Sequence, residues 1–68
     1  MVQIDARGLS CPEPVMRTMK AVDAGNTEIE VLLNSKTSVE NVTRFATNKN
    51  FKVEKKENGG DTTLILTK

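Results

Sequence analysis

Asn58–Gly59–Gly60–Asp61 most constrains what this chain can fold into. It lies between Phe51–Glu57 and Thr62–Thr67, two runs in which apolar and polar residues alternate. Asn and Gly supply the positive φ angles of a tight hairpin loop, so the spacing predicts two antiparallel strands. Phe51, Val53, Leu64 and Leu66 then share an inward face, and Ile65 points outward. An isolated hairpin is at best marginally stable in water, so the remaining residues must widen and cover it.

The preceding residues supply that cover. Val2 and Ile4 alternate with Gln3 and Asp5, predicting a short first strand. Ala6–Arg7–Gly8–Leu9–Ser10 reads as a loop, and Cys11–Pro12–Glu13–Pro14 opens a first helix, because proline is tolerated in a helix's first turn. Val15, Met19 and Val22 recur at helical spacing with Met16 beside them, and this stripe is expected to pack into the core. Gly25 is a C-terminal stop. Ile29, Val31 and Leu33 mark a second strand. Thr37-x-x-Glu40 has the capping-box form and predicts a second helix from near Ser38, with Val39, Val42, Phe45 and Ala46 buried, ending at Asn48–Lys49–Asn50. The order is β-α-β-α-β-β in one domain over residues 1–68. Gln3, Glu30, Lys52, Glu54 and Thr63 form a polar sheet face left to solvent. That favours an α+β, two-layer α/β sandwich with both helices on the other side.

Composition narrows the chemistry. The chain has 68 residues, one Cys, no His, no Trp and no Tyr. A single cysteine excludes an internal disulfide. Without His there is no Cys–His nucleophile pair and no obvious metal cage, so neither a metal nor a cofactor is expected. The net charge of +1 and only two aromatic residues argue against nucleic-acid binding. No run of 18 apolar residues could span a membrane, and Met1–Asp5 lacks the start of a signal peptide. A cytoplasmic setting, where a free thiol stays reduced, is expected.

Cys11 is the one strong nucleophile. A helix N-terminus favours thiolate over thiol, and the sequence places Cys11 at the N-cap. Pro12 and Pro14 stiffen this turn and remove two amides, leaving chiefly those of Glu13 and Val15 as donors to an anion. The Glu13 carboxylate opposes a thiolate, and Arg7 offsets it if the loop folds back. A thiolate lacking a base, a second cysteine and a metal can still carry sulfur, as a persulfide taken from one partner and given to another. Two other readings stay open on the residues alone. One is a regulatory or protein-binding module in which Cys11 is structural, and the other is a redox partner forming mixed disulfides. The cluster Lys52, Glu54, Lys55, Lys56 and Glu57 reads as a solvated strand, and Asn34–Ser35–Lys36 as a simple connection.

The run Asp5–Ala6–Arg7–Gly8–Leu9–Ser10–Cys11–Pro12–Glu13–Pro14–Val15 resembles the signature of the TusA-like (SirA/YedF) sulfur-carrier family. Glu40–Asn41–Val42 and Arg44–Phe45–Ala46 are most similar to its YedF-type branch. The resemblance implies a four-stranded mixed sheet with two helices on one face. It implies that Cys11 accepts sulfur, in a sulfurtransferase-like carrier acting stoichiometrically. Pro12 and Pro14 would shape the helix start, and Gly8 the preceding loop. Arg7, Gly8, Pro12, Glu13 and Pro14 would form the substrate-binding surround. The implied partners are a sulfur donor such as a cysteine desulfurase and a downstream sulfur-acceptor protein.

Overall fold

A computed structural model describes residues 1–10 and 12–68. The elements are β1 (Val2–Asp5), α1 (Glu13–Asp23), β2 (Glu28–Leu33), α2 (Lys36–Asn48), β3 (Lys52–Asn58) and β4 (Asp61–Thr67). They form one four-stranded sheet in the order β1-β2-β4-β3. β1 runs parallel to β2, whereas β4 is antiparallel to both β2 and β3, so the sheet is mixed.

Connection chemistry accounts for this order. Asn58 pairs with Asp61, so β3 and β4 are joined by the two residues Gly59 and Gly60. Gly59 has φ +66°, the left-handed value such a turn requires. The chain therefore turns back, and β4 fills the space between β2 and β3. The β1–α1–β2 and β2–α2–β3 connections both join parallel strands and both step the same way across the sheet. Crossovers of one hand taken in one direction put their helices on one face. Accordingly α1 and α2 pack against each other and on the same side of the sheet.

The core sits between these layers. Ile29, Val31 and Leu33 of β2 meet Leu64 and Leu66 of β4, all at 0% exposure, with Val42 and Ala46 of α2 above them. In register, Ile29 faces Leu66 and Val31 faces Leu64, so alternation along each strand delivers one apolar face. Phe51 is buried just ahead of β3, and Val53 packs half-buried against the core. Ile65 lies opposite Glu30 and Glu54 on the open face, as its parity predicts.

Three local expectations are corrected. Met16 and Met19 are exposed, at 53% and 40%. The buried face of α1 is instead Pro14, Thr18 and Ala21, with Val15 and Val22 half-buried beside it. Those three recur at helical spacing but are small or polar, so hydrophobicity alone conceals them. Thr18 is admitted because its hydroxyl donates to the Pro14 carbonyl at 2.9 Å. Second, α2 begins earlier than the capping box suggests: Ser35 is its N-cap, and its hydroxyl accepts from the Ser38 amide. Third, Phe45 is only half-buried and lies outside the core cluster.

Both helices end in the same way. After α1, the Gly25 amide donates to Val22 and the Asn26 amide to Ala21. After α2, Asn50 donates to Thr47 and Phe51 to Ala46. Each pair closes the helix through a left-handed residue, which is Gly25 at φ +93° and Asn50 at φ +67°. Asn tolerates this region better than any branched residue does. We expect Asn50→Gly to hold or raise the melting temperature. Asn50→Val should cost about 1–2 kcal/mol, read from urea unfolding.

Candidate functional site

The loop after β1, the start of α1, the end of β2 and the β3–β4 turn meet at one end of the sheet. Register brings them there. Asp5 ends β1 opposite Leu32, while Leu33 near the end of β2 lies opposite Thr62 at the start of β4. The Ala6 amide donates to the Leu32 carbonyl at 2.9 Å, extending the β1–β2 pairing by one residue into the loop. Ala6 is buried and Leu9 half-buried against the core, whereas Arg7, Gly8 and Ser10 are exposed.

Arg7 ties this end together. Its Nε and Nη2 donate to the two carboxylate oxygens of Asp5 at 2.9 and 2.8 Å, and its Nη1 donates to Asp61 at 3.0 Å. The first pair is a bidentate fork and the second reaches the hairpin. The Arg7 amide also donates to Asp5. Gly8, at φ +78°, turns its amide toward Asn34, whose Oδ1 accepts it at 3.0 Å.

On the helix side, Pro12 is the N-cap residue and provides no side-chain cap. The Glu13 amide donates to the Ser10 carbonyl at 2.8 Å, and the Met16 amide to Pro12 at 3.0 Å. Pro12 and Glu13 are exposed, and Pro14 is buried beneath them. Cys11 lies outside the described residues.

Three expectations are altered here. The helix begins after Pro12, so the N-cap is one position later than the sequence placed it. The Glu13 amide, counted as a donor to an anion, is occupied by Ser10. Nor does Arg7 offset Glu13: it faces Asp5 and Asp61, while Arg17 approaches Glu13 at 3.7 Å across one helical turn. The structure thus brings Arg7 and Gly8 into one polar cluster with Asp5, Asn34 and Asp61, and holds Glu13 apart from it. Sequence reasoning missed Asn34 and Asp61, because only the strand register makes them neighbours of the loop.

Electrostatics follow the same contacts. Hydrogen bonds from the Arg7 side chain, then from its amide, hold the Asp5 carboxyl down at about 2 from an ordinary 3.8. Asp5 and Asp61 in turn hold Arg7 more firmly in its charged form. A groove of about 660 Å³ runs between β1 and α1, lined by Ile4, Asp5, Glu13, Met16, Arg17 and Lys20 among others. Among the described residues no group of His, Cys, Asp and Glu could hold a metal ion. No helix there is long and apolar enough to cross a membrane.

A mixed four-stranded sheet with two helices on one face defines a small two-layer α+β domain. Residues 2–68 match the family model described as Sulfurtransferase TusA, and the chain belongs to that family. It is 40% identical over 55 residues to MJ0990 of Methanocaldococcus jannaschii, named as a candidate sulfur carrier protein; the match covers 78% of this chain and 73% of that one. The fold is similar to the crystal structure of a SirA-like protein from Desulfitobacterium hafniense. There the TM-score is 0.87 and the identity 28%, over 98% of this chain and 96% of the other. The family supports a sulfur-carrier role.

Because the folded Asp5 pKa lies below its ordinary value, the stability it confers is present above about 3.8. It is lost as pH falls through about 2. Wild type should therefore lose stability relative to Asp5→Asn across that window. Urea unfolding at stepped pH checks this, and a carboxyl titration by NMR should place the Asp5 midpoint near 2.

Proposed function

We propose that Cys11 accepts sulfur as a persulfide and relays it to a partner protein in the cytoplasm. The observation that carries this reading is the family membership of a chain whose single cysteine opens the Cys-Pro-x-Pro motif. Its described neighbours Ser10, Pro12 and Glu13 are exposed, which suits a site that must be reached by other proteins.

The chemistry needs only one sulfur. The Cys11 thiolate attacks the terminal sulfur of a donor persulfide. The donor's S–S bond breaks, a new S–S bond forms on Cys11, and the donor leaves as a thiolate with the electron pair. An acceptor thiolate then attacks the carried sulfur in the same sense and regenerates the Cys11 thiolate. No net oxidant or reductant is consumed.

The surround divides the remaining tasks. Arg7 and Gly8 hold the loop on one side. Pro12 and Pro14 restrict the helix start on the other, Pro14 doing so from within the core. Glu13 is paired with Arg17, so its charge is partly offset within α1. Met16 and Met19 are exposed further along α1, and methionine suits a surface that docks two different proteins. The donor is a persulfide-bearing enzyme such as a cysteine desulfurase, and the acceptor is a second thiol protein.

Incubation with a desulfurase and cysteine should add the mass of one sulfur to the intact protein. A reducing thiol should remove it, and Cys11→Ser should not acquire it. Sulfur retained by Cys11→Ser refutes the site, and no gain from any of several persulfide donors refutes the function.

A further inference from the structure

We propose that Asn34 and Asp61 are positioning residues for the loop that presents Cys11, acting through Gly8 and Arg7 respectively. The purpose assigned to the loop rests on the persulfide reading above; the clamp itself stands on the contacts of described residues.

The loop needs such holding. Among the described residues between the end of β1 and the first turn of α1, only Ala6 and Leu9 are withdrawn from solvent. The loop's own hydrogen bond, from the Leu9 amide to the Ala6 carbonyl, is long at 3.4 Å. Backbone bonds fix its two ends, Ala6 to Leu32 at 2.9 Å and Glu13 to Ser10 at 2.8 Å, and two short side-chain contacts hold its middle. Asn34 accepts the Gly8 amide at 3.0 Å, and Asp61 accepts Arg7 Nη1 at 3.0 Å. Among the described residues these are the only side-chain hydrogen bonds that Asn34 and Asp61 make.

Both anchors are themselves fixed. Asn34 lies between Leu33, fully buried at the end of β2, and Ser35, the N-cap of α2. Asp61 opens β4 and pairs with Asn58 across the turn. The anchors approach from different elements, so they restrain the loop in two directions. All three side chains of the Arg7 pairs are substantially exposed, and exposed pairs add little to global stability. What they can do is limit where a surface loop goes, and with it the thiol that follows Ser10.

The test uses the full chain with Asn34→Ala, Asn34→Asp, Asp61→Ala and Asp61→Glu. Amide exchange is read at Gly8 and Leu9, and global unfolding by melting. Asn34→Ala is expected to speed Gly8 exchange about tenfold with little change in Tm, and Asn34→Asp, which keeps an acceptor, to restore it. Asp61→Ala should loosen the same amides to a lesser degree, with rescue by Asp61→Glu. Salt near 1 M should reproduce the Asp61→Ala effect in wild type but not that of Asn34→Ala, since only the former breaks an exposed ion pair. Asn34→Ala adds no charge, so a shift in the pH profile of Cys11 alkylation reports geometry. We expect that profile to move up by about 0.5 unit as the loop ahead of Cys11 loosens.

Unchanged exchange and alkylation in both alanine variants overturns the proposal, as does loosening that merely tracks a fall in Tm. Sulfur capture measured in parallel separates the two readings. A clamp seen by exchange in a protein that takes no sulfur leaves the clamp and removes the persulfide reading. Normal capture with no loosening removes the clamp alone.

Discussion

The close seating of α1 on the sheet governs everything near the functional motif. That seating depends on Pro14, Thr18 and Ala21, which present little bulk and are buried. A helix that buried its methionines instead would stand farther from β1 and β2. Its first turn would then lie away from the loop that enters it. With the small face inward, the Glu13 amide reaches the Ser10 carbonyl and the loop passes directly into the helix. The proline at the second helical position costs no hydrogen bond there, and its ring fills space in the interior.

A second consequence of the fold is where the strand ends fall. β1 and β2 are parallel, so the loops that follow them leave the same end of the sheet. The antiparallel insertion of β4 brings the hairpin turn to that end too. Asp5, Asn34 and Asp61 are distant in sequence, and topology alone places them around Arg7 and Gly8. The polar cluster is thus a product of strand order more than of any local motif.

That distinction explains what could be read in advance. Strands and hairpin were legible because alternation and Asn-Gly chemistry are local signals, and the layer arrangement followed from one polar sheet face. The cysteine motif was legible as a run of residues. The burial of α1 was misjudged because Thr18 and Pro14 carry no hydrophobic signal, while Met16 and Met19 do. Thr18 becomes a core residue only once the Pro14 carbonyl satisfies its hydroxyl. The start of α2 was misplaced because Thr37 and Ser35 both have capping chemistry. Geometry chose Ser35, whose backbone at φ −129° and ψ 130° is extended while that of Thr37 is helical. The roles of Asn34 and Asp61 required register, which a single sequence does not display.

The electrostatic setting of the motif is more balanced than its place at a helix start suggests. The helix end contributes partial positive charge. Yet Pro12 and Pro14 offer no amide, and the Glu13 amide is already bound to Ser10. Arg7, the nearest cation in sequence, is shared between two carboxylates. A sulfur carrier is served by this restraint. A thiolate stabilised too strongly would be a poor nucleophile toward the donor, since nucleophilicity falls with pKa. It would also be a good leaving group and so shed its sulfur early. The charge of Arg7 is offset by Asp5 and Asp61, and the same carboxylates fasten the loop. The position of the loop and the charge around it are therefore set by one group of contacts.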